Sequence, residues 1–145
     1  MSDLIKEFLV RNKENIKNND FKSVLADLMT HKWSLAVGER KTIINIFNSL
    51  GIDLLDYCGL NIGDKIRYIH DSSLYLDYDE FFEINNISDL RKNYIHYYPS
   101  SVKDLKVLYV GWHHLYLDIV VVLEGIDQDN DVVVLLASYD GIDKV

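Results

Sequence analysis

The spacing of apolar residues changes near Gly59, and this change restricts the fold more than any other feature of the chain. Before it, apolar residues recur every three or four positions. After it, they alternate with polar residues or run together in strand-sized blocks. The first pattern lines one stripe of a helix, and the second lines the faces of a sheet. Leu4, Ile5, Phe8, Leu9 and Ile16 predict a helix near 3–17, with Ser2 as its N-cap. Asp20 can cap a second helix near 20–31, in which Phe21, Val24, Leu25 and Leu28 share a face. A third, opened by Ser34 or Gly38 and stopped by Gly51, is expected near 39–50, with Ile43, Ile44, Phe47 and Leu50 as its stripe. Residues 53–58 add one helical turn that closes at Gly59.

Beyond Gly59, residues 62–69 alternate and read as a strand. Residues 74–83 fit a strand or a helix, residues 90–98 are weakly periodic, and Pro99-Ser100-Ser101 is a turn. Three β-rich runs follow near 105–110, 117–123 and 131–139, and their short connections favour antiparallel pairing. The expected fold is α+β: an N-terminal helical segment packed on a C-terminal antiparallel β-sheet or small open barrel. We expect a single domain over 1–145, helical over 1–59 and mainly β over 60–145. Phe8, Leu25, Leu28, Phe47 and Leu50 are expected to bury against the sheet with Val107, Val121 and Leu135.

Charge follows the same division. Residues 1–50 hold eight Lys/Arg against six Asp/Glu, and residues 51–145 hold seven against 17. All ten tyrosines lie between Tyr57 and Tyr139, inside the acidic part. An acidic, tyrosine-rich surface suits a basic partner and repels phosphates, so direct nucleic-acid binding is disfavoured. The single cysteine, Cys58, excludes an internal disulfide and fits a reducing compartment. The N-terminus carries charges inside its apolar stretch, unlike a signal peptide. The apolar runs 119–123 and 132–137 fall far short of the roughly 20 residues of a membrane span. A cytoplasmic protein is therefore expected, and abundant Asn, Ile and Lys fit AT-rich bacterial or phage coding.

No catalytic motif stands out. There is no GxSxG, HExxH, phosphate-cradling glycine loop or dinucleotide fingerprint. Two segments carry the densest chemistry. In the first, Asp71, Asp77, Asp79, Glu80, Glu83 and Asp89 are interleaved with Tyr75, Tyr78, Phe81 and Phe82. Acids there would steer a basic partner and aromatics would supply contact area; the plainer alternative is a solvated acidic loop over aromatics used by the core. In the second, Trp112, His113, His114 and Asp118 sit where a turn between strands is expected. Adjacent histidines on an extended chain face opposite ways, which argues against a shared metal. A binding turn, or a polar turn with one aromatic anchor in the core, suits them better.

Asp127, Asp129 and Asp131 resemble the start of a calcium loop, but Val132 and Ser138 stand where that loop needs Gly and Glu, so a hairpin turn is expected. Cys58 has no nearby His to activate it and reads as a small buried hydrophobe.

The leading expectation is a non-enzymatic module without cofactor or bound metal. It would neutralise a basic protein, such as a nuclease or other nucleic-acid enzyme, in the manner of an immunity protein or phage inhibitor. Its contact residues would be Tyr75, Asp77, Tyr78, Asp79, Glu80 and Glu83, with Trp112, His113 and His114 on the nearby turn. The alternatives are a metal-assisted hydrolase using His113 or His114 with Asp118, and a structural adaptor that binds through its helices.

Overall fold

The computed structural model describes residues 2–69, 78–95 and 101–145, with the side chain of Tyr78 left out. Its chain divides into two compact units. The helical unit comprises residues up to Asp53 together with His114–Leu117, and the β unit comprises Leu54–His113 and Asp118–Val145.

In the helical unit, α1 (Asp3–Arg11) starts where the Ser2 hydroxyl accepts the Ile5 N–H at 3.2 Å. The single helix expected over 3–17 is broken at Asn12, and α2 (Lys13–Lys17) follows. Asn12 is buried, and its amide donates back to the Phe8 carbonyl (3.0 Å) and across to the Asp27 carboxylate (2.6 Å). A short polar side chain that bonds locally competes with helix propagation at that point. Asp20 caps α3 (Phe21–His31), accepting the Ser23 N–H and hydroxyl. The third major helix, α4 (Val37–Leu50), opens neither at Ser34 nor at Gly38. It opens at Val37, where the Glu39 carboxylate accepts the Ala36 N–H at 2.9 Å. Gly51, at φ 72, ends it in the left-handed region.

The core of this unit holds Ile5, Phe8, Val24, Leu25, Leu28, Ile43, Ile44 and Phe47, with the Phe8 and Phe47 rings 6.1 Å apart. Leu50 is only half-buried, because α4 ends there.

The β unit opens with α5 (Leu54–Cys58) and then β1 (Ile66–Tyr68). The strand expected over 62–69 is shorter because Gly63, at φ 89, turns the chain. After β1 come α6 (Tyr78–Ile84) and a 3-10 helix (Ser88–Asn93). The remaining strands are β2 (Lys103–His113), β3 (Asp118–Ile126), β4 (Val132–Ser138) and β5 (Ile142–Lys144). β2, β3 and β4 form an antiparallel sheet in that order, and β1 pairs antiparallel with β5. The segment before β1 links the two ladders: Gly63 N–H donates to Val107, and Val107 N–H donates to Asp64.

β3 is the central strand, and Ile119 to Leu123 are buried without a break. A strand covered on both faces reads as a continuous apolar run rather than an alternation. Val107, Val121 and Leu135 are fully buried, as expected. The α+β class, with helices first and antiparallel strands after, is thus what the chain adopts. β5 had no forecast: three residues give too little alternation to read.

Candidate partner-binding surface

Helix α6 carries three of the acids that the sequence singled out, Asp79, Glu80 and Glu83. It places two aromatics inward and its carboxylates on the other side. Phe81 and Phe82 are buried, while Asp79 and Glu83 are exposed and Glu80 is half-exposed. Residues four apart share a helix face, so Asp79 lies beside Glu83, and Glu80 lies beside Ile84. Ile84 is 46% exposed, an aliphatic side chain standing among acids. Sequence reasoning missed it; its signal is that it follows the buried Phe81-Phe82 pair out of phase with them.

Three sets of contacts hold this helix in place within the β unit. The Phe81 ring stacks on the His113 ring, centroids 6.3 Å apart and 13° from parallel. Phe82 meets Tyr94 edge-on at 5.3 Å. Just past the helix, the Asn85 amide donates to the carbonyls of Phe81 (3.0 Å) and Trp112 (3.2 Å), and its oxygen accepts the Tyr109 hydroxyl (3.2 Å). Gly111 makes room for this clasp, because a Cβ there would collide with the Asn85 side chain and the Tyr109 ring. An acidic face held on a sheet in this way loses little freedom when it binds. Arg91 pairs with Asp79, an exposed bridge that partly offsets one of the acids.

Of the expected contact residues, Asp79, Glu80 and Glu83 therefore share one exposed helix. Tyr78 begins that helix, and its side chain is not described. Tyr75 and Asp77, with Asp71, lie outside the described residues. Trp112, His113 and His114 are placed differently from the expectation. β2 runs on through His113, and all three side chains are buried, at 5%, 1% and 1% exposure. The turn begins one residue later, and burial removes these three from the surface a partner meets. For His113 the physical reason is the aromatic packing just described, which sets its ring against Phe81.

The same burial bears on the hydrolase alternative. His113 is the cross-strand partner of Asp118. Among the described residues, however, His113, His114 and Asp118 are not part of any group of three His, Cys or carboxylate ligands close enough to share a metal. One such group exists, formed by Asp127, Asp129 and Asp131, whose ligand atoms lie within 4.8 Å of one another. Asp127 spends one oxygen on the N–H groups of Asp129 and Asp131, both at 2.9 Å, and Asn130 adopts φ 62. This is the hairpin turn the sequence predicts, and a strand rather than a helix follows it.

Burial pushes the Cys58 thiol up to about 12, so it is no nucleophile at neutral pH.

Comparison with family models, curated proteins and solved structures finds no match, so the reading of this surface rests on the chain's own residues.

Proposed function

We propose that the chain is a small acidic binding module that neutralises a basic protein partner through the outer face of α6. The observation that carries this reading is the division of labour on that helix: Phe81 and Phe82 anchor it, while Asp79, Glu80 and Glu83 face outward beside the exposed Ile84. Carboxylates on a fixed helix steer a cationic surface toward it, and an apolar side chain among them holds it once it has arrived. Tyr78, at the start of the same helix, is the second anchor we assign. A basic cleft of the kind found in nucleases and other nucleic-acid enzymes is the complementary shape and charge, which corresponds to an immunity-protein or phage-inhibitor role. The reading is non-catalytic and needs no cofactor. The setting we propose is cytoplasmic; among the described residues no helix is long and apolar enough to cross a membrane.

The test is equilibrium binding to a lysine- and arginine-rich peptide across a salt series. The reading expects saturable binding that weakens steeply as salt rises, because exposed charges are screened beyond about 8 Å at physiological ionic strength. It also expects Ile84→Ala to shorten the lifetime of the complex without changing the on-rate. Binding that is indifferent to salt would favour the adaptor alternative.

A further inference from the structure

The β unit holds a cavity of about 420 Å³, within the range that takes small ligands. Two lysines, Lys65 and Lys106, and two carboxylates, Asp104 and Glu124, line it. Elsewhere in the unit Arg67 pairs with Asp143, Arg91 with Asp79, and Lys144 with Asp64. Among the described residues, none of the four cavity charges makes an ion pair, although Lys106 and Glu124 are cross-strand partners. Both signs are therefore open to a ligand.

Strand pairing fixes the order of these charges. Lys65 bridges Lys106, and Lys106 stands opposite Glu124. Residues opposite one another in a ladder share a face, and neighbouring strands lie roughly 5 Å apart. The row across the strands therefore runs positive, positive, negative, with a single step between the two signs. The second acid enters through a bulge. β2 advances three residues from Lys103 to Lys106 while β3 moves two, from Ile126 to Glu124, and Asp104 adopts φ 58. A bulge re-aims side chains, and this one brings Asp104 to the same cavity as Lys106. Opposite the bulge, Gly125 lets Val102 and Leu105 close over the strand; a Cβ there would run into both. Ile66, Leu105 and Ile126 supply an apolar wall.

Two positive and two negative side chains balance, so the cavity favours neither an anion nor a cation alone. A ligand that carries both signs a short distance apart can meet all four, and a ligand with one sign leaves half of them unanswered. We propose that this cavity binds a free aliphatic α-amino acid. Its carboxylate sits at Lys65 and Lys106, its ammonium at Glu124 and Asp104, and its side chain against Ile66, Leu105 and Ile126. Opposite charges on one carbon suit signs that stand one strand apart. The site shares no residue with the α6 surface and does not depend on the function proposed there.

The test compares leucine with its two single-charge relatives, isocaproate and isoamylammonium, at neutral pH and constant ionic strength. Binding is followed by the backbone amide shifts of Ile66, Leu105 and Gly125. The proposal expects leucine to saturate and to bind at least about tenfold more tightly than either relative. Lys65→Met with Lys106→Met should bring leucine level with isoamylammonium. Asp104→Asn with Glu124→Gln should bring it level with isocaproate. Asn tolerates the left-handed backbone at 104, and neither double variant removes an ion pair, so both should keep the parent's thermal midpoint. Either single-charge relative binding as tightly as leucine, absence of saturation, shifts that map elsewhere, or an undiminished preference for leucine in either folded variant would each overturn it.

Discussion

The two units bury their chains by different means. In the helical unit each helix hides one stripe: Ile5 and Phe8 on α1, Val24, Leu25 and Leu28 on α3, and Ile43, Ile44 and Phe47 on α4. The opposite faces stay in water, so charge is spread along every helix. In the β unit the central strand is covered on both sides, and from Ile119 to Leu123 it has no surface to offer. Several of its acids stand on the connections: Asp79, Glu80 and Glu83 on α6, Asp89 after it, and Asp127, Asp129 and Asp131 in the last hairpin turn, while Asp104, Asp118, Glu124 and Asp143 lie on strands outside the buried run. The lesson is that a strand buried on both faces leaves charge to strand ends, edges and inserts. An insert held by packing, as α6 is, becomes the surface most fit to bind.

The comparison can be broken first at the helical core, where the largest effect is expected. Phe47 is 1% exposed and packs on Phe8. Phe47→Ala should cost about 3–5 kcal/mol in chemical denaturation. An unchanged midpoint would mean that the stripe of α4 is not the core of its unit.

A smaller cost is expected at the junction of sheet and insert. In Gly111→Ala the added methyl meets Asn85, whose amide is committed to two carbonyls, and Tyr109 beside it. A cost of about 1–3 kcal/mol follows from overpacking, and amide exchange over 78–84 should quicken. Slow exchange there in the variant would show that the clasp does not hold the helix.

The smallest of the stability effects concerns Asp27, which joins α1 to α3. Burial works to raise its carboxyl. Hydrogen bonds from Arg11 and Asn12, with the charges of Arg11 and His31, outweigh that and hold it below its usual value of 3.8. A carboxyl whose folded value is depressed adds stability above its unfolded value and loses it as pH falls through the folded one. Asp27→Asn should therefore cost about 1–2 kcal/mol at neutral pH. The gap to the parent should close in acid below 3.8. A gap that stays constant with pH would assign the loss to packing alone.

Long periodic segments were legible in the sequence, and single residues that redirect the chain were not. The stripes of α3 and α4 and the apolar run of β3 follow from repeated spacing. The break at Asn12 depends on one amide finding Asp27 fifteen residues away, and no local pattern records such a partner. The acids of α6 were visible, but their outward placement depends on Phe81 stacking on a histidine from β2. Trp112, His113 and His114 read as a displayed turn because Gly111 looked like the end of a strand. In the fold Gly111 is the point within β2 where another side chain comes close.

The central claim is that location, not net charge, makes α6 the binding surface. The most direct measurement is the stopped-flow association rate of a labelled lysine- and arginine-rich peptide at low salt, for two variants with the same total charge. One carries Asp79→Lys with Glu83→Lys on α6, and the other carries Asp129→Lys with Asp131→Lys on the hairpin turn. The account predicts that the α6 pair slows association by about three- to tenfold while the hairpin pair leaves it nearly unchanged. Equal slowing by both pairs would show that the peptide responds to overall acidity, and would contradict the assignment of the surface to α6.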